Sequence, residues 1–236
     1  MNRILIFALL ALVFFTGCSS EQSELDTEQS TAALFDAPSA ETTAPGVAPT
    51  IPEDAPTVVF LGDSLGAGLH LAEHQAFPAV LQEQLTSDGL PFRLVNASES
   101  GRTSAGGAGA LAWILRSEPD VVVLALGGND GLRGIPVDDT EANLRQMVQT
   151  ARNADATVLL LGVRLFENYG DYGDAFDALF PRLAEELEVA FVPFYMEGVG
   201  GVPELNLEDG LHPTAEGHEL LATKVAAGLV ELLSKE

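Results

Sequence analysis

Apolar runs alternate with segments of helical periodicity from residue 57 to the end of the chain. Five of these runs are almost continuously hydrophobic and rich in aliphatic residues, which is typical of strands buried on both faces of a parallel sheet. The runs cover residues 57–61, 92–97, 120–127, 157–164 and 189–194. We therefore predict five parallel strands.

The segments between these runs carry apolar residues at the spacing of amphipathic helices. The predicted helices cover residues 76–89, 103–117, 138–155, 180–188 and 214–234. Gly89 suits the end of the first helix, and Asp138 and Asp139 are N-cap candidates for the third. The alternation of strands and helices predicts one three-layer α/β/α domain over residues 57–236.

The N-terminal segment has the layout of a secretory signal: Arg3 precedes an apolar run over residues 4–15, and small residues follow. The run is too short to span a bilayer comfortably, and the alternatives are an uncleaved anchor helix or a buried helix. The single cysteine, Cys18, stands directly after Phe-Thr-Gly, an arrangement that resembles the lipobox of bacterial lipoproteins. The resemblance implies a signal peptide over residues 1–17, lipidation of Cys18, and membrane anchoring at the bacterial cell envelope.

Composition separates residues 18–56 from the rest of the chain. The segment is rich in Ser, Thr, Ala, Pro and acidic residues and contains no Lys or Arg. It has too little apolar surface to offset the entropy cost of ordering it, so we predict a disordered acidic linker. The whole chain has 35 acidic and 11 basic residues, a net charge of −24. This charge argues against a nucleic-acid partner, because phosphate binding needs Lys and Arg.

Clusters of polar residues and glycine follow four of the five predicted strands. They comprise Gly62, Asp63 and Ser64 after the first strand, Gly101 after the second, Gly128, Asn129 and Asp130 after the third, and Asp209 and His212 after the fifth. In parallel sheets flanked by helices, ligands bind outside the carboxyl ends of the strands. We therefore expect the four clusters to meet in one site.

Ser64 has three interpretations when its cluster is taken alone: a helix cap, part of a phosphate-binding loop, or a nucleophile. A phosphate loop is disfavoured, since neither a Walker lysine nor a G-x-G-x-x-G pattern follows the strand. Gly62, Ser64 and Gly66 fit the G-x-S-x-G pattern of serine hydrolases. One short turn can aim both Asp209 and His212 at Ser64. In α/β-hydrolases, by contrast, the acid lies far in sequence from the histidine.

The motif GDSL, the loop around Gly101, GGND and DGLHP together resemble the four sequence blocks of the SGNH, or GDSL-type, hydrolase superfamily. More narrowly, GGNDGLRG, RLFENYG and PFYMEGV are similar to segments of bacterial multifunctional esterases with thioesterase, lysophospholipase and arylesterase activity. The resemblance covers residues 57 to about 232. It implies a flavodoxin-like sheet and a serine esterase that works without a metal or other cofactor.

The same resemblance implies a role for each matching residue. Ser64 is the nucleophile, His212 the general base, and Asp209 the residue that orients the imidazole. The backbone N–H groups of Ser64 and Gly101 and the side-chain amide of Asn129 form the oxyanion hole. Taken in isolation, Asn129 also fits a turn former.

Other polar residues near these blocks have structural interpretations. We expect Asp63 and Asp130 to accept hydrogen bonds from loop N–H groups and neither to be the catalytic acid. His70 and His74 match the H-x-x-E-H pattern of zinc peptidases, but glycine and proline flank them, so we predict no metal site. His218 is expected to be an exposed or half-buried residue of the last helix.

Apolar and aromatic residues in the loops after the first, third and fourth strands favour acyl or aryl substrates over sugars. Small-molecule acyl esters are therefore the expected partners, and the domain is expected to be a monomer. A carbohydrate O-acetylesterase of the same fold, a catalytically idle binding module at the cell surface and an FMN-binding protein are the alternatives.

Overall fold

The computed structural model describes residues 50–234. The predicted signal peptide, Cys18 and most of the predicted linker lie outside the described residues. The strands are β1 (Thr57–Gly62), β2 (Arg93–Asn96), β3 (Val121–Ala125), β4 (Thr157–Leu161) and β5 (Ala190–Val192). The α-helices in this part of the chain are α1 (Ser64–Ala67), α2 (Phe77–Ser87), α3 (Ser104–Ile114), α4 (Gly128–Leu132), α5 (Val137–Arg152), α6 (Gly170–Leu187) and α7 (Ala215–Leu233).

The strands form one parallel sheet in the order β2-β1-β3-β4-β5. This order confirms the predicted five-stranded, flavodoxin-like architecture. The chain passes from β1 to β2 on one side and then returns to β3 on the other. The carboxyl ends of β1 and β3 therefore flank the point at which the strand order reverses, where ligands bind in such sheets.

Helices cover both faces of the sheet and bury its apolar side chains. On one face α2 and α7 pack against each other, and their buried residues include Phe77, Leu81, Leu221 and Val225. On the other face α3, α5 and α6 contribute Leu111, Leu144, Met147, Phe176 and Phe180. Burial of these two apolar layers stabilises the three-layer fold. Within residues 50–234 no helix has the length and apolar character needed to cross a membrane.

The helix before β5 is longer than the sequence predicts. The prediction places it over residues 180–188, whereas α6 covers Gly170–Leu187 with Pro181 inside it. Glycine and aspartate in residues 170–179 argue for a loop when considered locally. The helix forms there because it buries an apolar stripe of Phe176, Leu179, Phe180 and Leu183, and this burial outweighs weak helix propensity.

The predicted N-cap of α5 is also wrong. Pro136 occupies that position, and Asp138 and Asp139 lie in the first turn. The Pro136 carbonyl accepts the N–H groups of Asp139 and Thr140 at 3.0 and 3.2 Å. The helix therefore begins earlier than expected, since proline presets a backbone conformation suited to its start. Both carboxylates still interact favourably with the helix dipole.

Gly162 follows β4 at a point where the chain comes very close to Pro193. A Cβ at Gly162 would lie 2.0 Å from the Pro193 carbonyl oxygen, a backbone atom that a side-chain rotation cannot move away. We predict that Gly162→Ala lowers the free energy of unfolding by about 1 to 3 kcal/mol, measured by urea denaturation.

Gly109→Ala is the matched control for this prediction. Gly109 lies inside α3, and a Cβ there would meet no atom within 4 Å. Alanine favours a helix over glycine by about 1 kcal/mol, so this variant should be more stable than the wild type. Shifts of the same sign for the two variants would contradict the packing argument.

Candidate active site

Ser64, His212 and Asp209 form a continuous hydrogen-bonded chain. Ser64 Oγ lies 2.9 Å from His212 Nε2, although 148 positions separate the two residues. His212 Nδ1 lies 2.6 Å from Asp209 Oδ2 on the other side of the ring. A histidine held in this way can take the hydroxyl proton while the carboxylate keeps it in one tautomer. The arrangement is therefore able to generate a serine nucleophile.

Ser64 is the first residue of α1, and one residue, Asp63, separates it from the end of β1. Asp63 is the N-cap of this helix, and its Oδ1 accepts the N–H of Leu65 at 3.0 Å. The capping role that the sequence alone allows for Ser64 therefore belongs to Asp63. The Ser64 hydroxyl instead faces His212.

Close packing explains the glycines on either side of Ser64. A Cβ at Gly62 would lie 2.8 Å from Ser98 Oγ, and one at Gly66 would lie 2.2 Å from the same atom. Ser98 belongs to the loop that follows β2. The G-x-S-x-G spacing therefore lets that loop pack directly against the turn that carries Ser64.

The turn before α7 positions Asp209 and His212. Asp209 Oδ1 accepts the backbone N–H of His212 at 3.0 Å and that of Leu211 at 2.9 Å. The His212 N–H, the His212 ring and the Leu211 N–H hold the pKa of the Asp209 carboxyl well below its ordinary value. Asp209 is therefore ionised at neutral pH and faces the imidazole as a carboxylate.

Asn129 and Gly101 reach the same place from the two strands that flank β1. Asn129 lies in α4, after β3, and Gly101 lies in the loop after β2. Gly101 has a φ of 81°, a left-handed conformation that favours glycine. With Ser64 and His212, both residues line a cavity of about 260 Å³. Ser64, His212, Gly101 and Asn129 thus come together around one cavity, and Asp209 joins them through its hydrogen bond with His212.

Asp63 is a buried carboxyl next to the nucleophile, with 3% of its surface exposed. Burial raises its pKa to about 6, against the opposing effects of the Leu65 N–H, the charge of His212 and the Asn129 amide. Its Oδ2 lies 3.4 Å from Asn129 Nδ2. Asp63 thus accepts hydrogen bonds from a loop N–H and from a side chain of the site, as expected for a structural carboxylate.

Asp130 is fully buried and joins three helices. Its Oδ2 accepts the backbone N–H of Ser104 at 2.8 Å, and its Oδ1 accepts the Ser104 hydroxyl at 2.5 Å and the Thr140 hydroxyl at 3.4 Å. Ser104 begins α3, and Thr140 lies in α5. The carboxylate therefore fixes α4, and with it Asn129, to the body of the domain.

A second cavity, of about 310 Å³, adjoins the first. The two share Leu65, Gly128, Leu132 and Leu211. The remaining wall is mainly apolar and includes Val163, Leu165, Phe166, Phe194 and Met196. The sequence predicts that the loop after β4 contributes apolar side chains to the substrate site. It does not predict a contribution from the loop after β5, which supplies Phe194 and Met196.

His70 and His74 do not lie on one helical face. His70 has a φ of 69° in a turn, whereas His74 lies in the short 3₁₀ helix Glu73–Gln75. The His70 ring instead meets the His212 ring edge-on, with centroids 6.4 Å apart. Among residues 50–234 no group of three or more His, Cys, Asp or Glu side chains is arranged to hold a metal ion.

The prediction that His218 is exposed or half-buried is wrong, because 1% of its surface is exposed. Its Nδ1 accepts the N–H of Phe77 at 3.0 Å, and the two rings stack. Phe77 begins α2, so its N–H lacks a partner within the helix, and His218 satisfies it from α7. Burial, with a smaller contribution from the charge of His212, lowers the pKa of His218 to about 4.

Arg133 is a site residue that the sequence analysis did not single out. It is exposed at the end of α4, and its Nη2 donates to the Gly101 carbonyl at 3.0 Å and to Asn129 Oδ1 at 3.3 Å. Its position four residues after Asn129 was the available signal, because such residues are neighbours on a helix. The sequence predicts no helix over residues 128–132, so this neighbour relation could not be recognised.

The parallel α/β sheet and the hydrogen-bonded serine, histidine and aspartate define the class of the protein as a serine hydrolase. Residues 60–220 match the GDSL-like Lipase/Acylhydrolase family. The chain therefore belongs to this family, which confirms the resemblance seen in the sequence, and it is an ester hydrolase.

Individual relatives are similar over most of the domain. Esterase TesA of Pseudomonas aeruginosa is 44% identical over 178 residues, which cover 75% of this chain and 89% of that protein. Thioesterase 1/protease 1/lysophospholipase L1 of Escherichia coli K12 is 40% identical over 181 residues, 76% of this chain and 86% of that protein. The crystal structure of TesA superposes with a TM-score of 0.72 at 43% identity and covers 75% of this chain and 99% of that chain.

The buried His218 predicts a specific dependence of stability on pH. Its pKa is lower in the folded chain, about 4, than the ordinary 6.5, so the unfolded chain binds a proton that the folded chain does not. This pKa difference contributes about 3 kcal/mol to the free energy of unfolding. The contribution is fully present above pH 6.5 and is lost as pH falls toward 4. His218→Gln keeps an acceptor for the Phe77 N–H and should lack this loss.

Urea denaturation at several pH values tests the prediction. The stability difference between wild type and His218→Gln should shift in favour of the variant as pH falls from 7 to 4. His74→Gln, at an exposed position, should follow the wild type throughout. Parallel pH profiles for wild type and His218→Gln would contradict the assignment.

Proposed function

We propose that the protein hydrolyses acyl esters through a covalent acyl-enzyme on Ser64. The observation that carries this proposal is the 2.9 Å contact between Ser64 Oγ and His212 Nε2 at the wall of a cavity. The Ser64 proton passes to His212 as Oγ bonds to the substrate carbonyl carbon. The same proton then passes to the leaving oxygen or sulfur as its bond to that carbon breaks. Water repeats the sequence, releases the acid and restores Ser64.

The oxyanion that forms on the carbonyl oxygen needs hydrogen-bond donors fixed in advance. The backbone N–H groups of Ser64 and Gly101 and the Nδ2 group of Asn129 fill this role in our proposal. Each such donor contributes about 3 kcal/mol to transition-state stabilisation in comparable sites. Asp209 keeps His212 in the required tautomer and stabilises the imidazolium that forms.

The apolar cavity beside the nucleophile supports an acyl or aryl group as the part of the substrate that the enzyme binds. It begins at Leu65 and Leu211, which also line the cavity around Ser64. An apolar wall gains binding energy from each methylene that it removes from water. Carboxylic esters, thioesters and lysophospholipids are the proposed substrates, in keeping with the activities named for the relatives.

We also infer that the enzyme is anchored to a membrane of the bacterial cell envelope through lipidated Cys18. The support for the anchor lies in the signal-like segment before Cys18 and in the acidic residues 18–56 that follow it. The anchor would hold the domain near lipid-derived esters. A location outside the cytoplasm also makes acyl-CoA an unsuitable natural substrate.

Ser64→Ala tests the proposed nucleophile. The variant should lose at least about 10³-fold in kcat on p-nitrophenyl esters, because His212 then has no hydroxyl to activate. Labelling by a fluorophosphonate probe should disappear with the activity.

Ser117→Ala is the control, since the Ser117 hydroxyl donates to the Ile114 carbonyl and the residue precedes the amino end of β3. It should keep both activity and labelling. Wild-type turnover in Ser64→Ala would overturn the proposed function.

Val163→Phe tests the proposed acyl cavity. Val163 lines the apolar cavity and not the one around Ser64. The larger phenylalanine side chain should therefore shorten the space for an acyl chain. We expect kcat/KM to fall about tenfold or more for octanoyl esters, while acetyl esters change by less than about twofold. An equal loss at every chain length would contradict this assignment of the cavity.

A further inference from the structure

We propose that Arg133 is a positioning residue that holds the Asn129 side chain and the Gly101 loop ready to bind the oxyanion. The inference rests on the proposed function, because it concerns the donors of the oxyanion hole. Arg133 needs no contact with the substrate in this role, since it acts through the groups that make contact.

The Arg133 guanidinium lies between two segments of the site. Its Nη2 carries two N–H bonds and makes two contacts, with the Gly101 carbonyl at 3.0 Å and with Asn129 Oδ1 at 3.3 Å. One acceptor belongs to the loop after β2 and the other to the helix after β3. A single nitrogen of Arg133 thus connects the two segments that supply the hole.

Two oppositely charged groups orient the Asn129 amide. Its Nδ2 faces the Asp63 carboxylate, with Oδ2 at 3.4 Å, and its Oδ1 faces the Arg133 guanidinium. Rotating the amide by half a turn would set an oxygen against the carboxylate and an N–H group against the cation. Both contacts would be repulsive, so the anion and the cation together select the orientation that presents Nδ2 as a donor.

The positive charge of Arg133 also has an electrostatic effect on the oxyanion hole. A cation on Oδ1 polarises the whole amide and makes the N–H groups on Nδ2 better donors. The chain as a whole carries a net charge of −24. A positive group at the hole therefore offsets a field that opposes the developing negative charge.

The role of Arg133 is separable from folding. The buried Asp130 already ties α4 to α3 and α5 through Ser104 and Thr140. Arg133 is exposed, so its replacement removes contacts at the site without opening the core. A loss of activity in such a variant can thus be assigned to the site itself.

The test compares Arg133→Gln, Arg133→Lys and Arg116→Ala on p-nitrophenyl esters. We expect Arg133→Gln to lower kcat by about tenfold to a hundredfold and to change KM by less than about twofold, because the oxyanion exists only beyond the ground state. Arg133→Lys keeps the charge but loses the planar fork, and should recover part of the loss. Arg116, exposed and before the amino end of β3, should be replaceable without effect.

A double-mutant cycle with Asn129→Ala separates positioning from an independent effect. If Arg133 acts through Asn129, Arg133→Gln should cost much less in the Asn129→Ala background than in the wild type. Binding of a boronic acid, which forms a tetrahedral adduct on Ser64, should weaken in Arg133→Gln in parallel with kcat. Binding of a product carboxylic acid should not.

Three outcomes would overturn the inference: unchanged kcat in Arg133→Gln, an equal fold-loss in both backgrounds, or a change confined to KM. Failure of this inference can be distinguished from failure of the proposed function. If only the inference fails, Ser64→Ala and Asn129→Ala are still impaired. If the proposed function fails, Ser64→Ala itself keeps its activity.

Discussion

The parallel pairing of β1 with β3 is the constraint on which the site depends. The register sets Gly62 opposite Ala125, so the segments that carry Ser64 and Asn129 leave the sheet side by side. A slip of one residue would turn the buried side chains of a strand to the other face, where the closely packed core has no matching space for them. The packing of the core therefore also sets the distance between the proposed nucleophile and one proposed oxyanion donor.

Two carboxyl groups near Ser64 have opposite pKa shifts, and the reason separates their roles. Asp209 is exposed and meets two backbone N–H groups and the imidazole, which lower its pKa. Asp63 is buried, and loss of hydration raises its pKa to about 6 despite its hydrogen bonds. Both groups are carboxylates at neutral pH, but the one that faces the imidazole stays ionised to a lower pH. Asp63 instead caps α1 and contacts Asn129.

The strands could be predicted because their sequences are almost continuously apolar, and the structure has a strand in each of the five runs. β1 extends one residue beyond its run, to Gly62, and the edge strand β2 is only half-buried, not buried on both faces as its run predicts. The helices were harder to predict, because the residues at which they begin and end depend on tertiary packing. Residues 170–179 are poor in local helix signals, yet Phe176 and Leu179 are buried against the sheet and make them helical. His218 is similar: nothing along the chain indicates that it meets the free N–H of Phe77.

By itself, the sequence determined the sheet, the family and the residue types at the carboxyl ends of the strands, since periodicity and motifs are local properties. Only the tertiary structure decided that Asp63 contacts Asn129, that the loop after β5 lines the apolar cavity, and that Arg133 contacts Gly101. Contacts of this kind join segments that are distant along the chain. Their distances follow from how strands and helices pack, and spacing in the sequence does not record them.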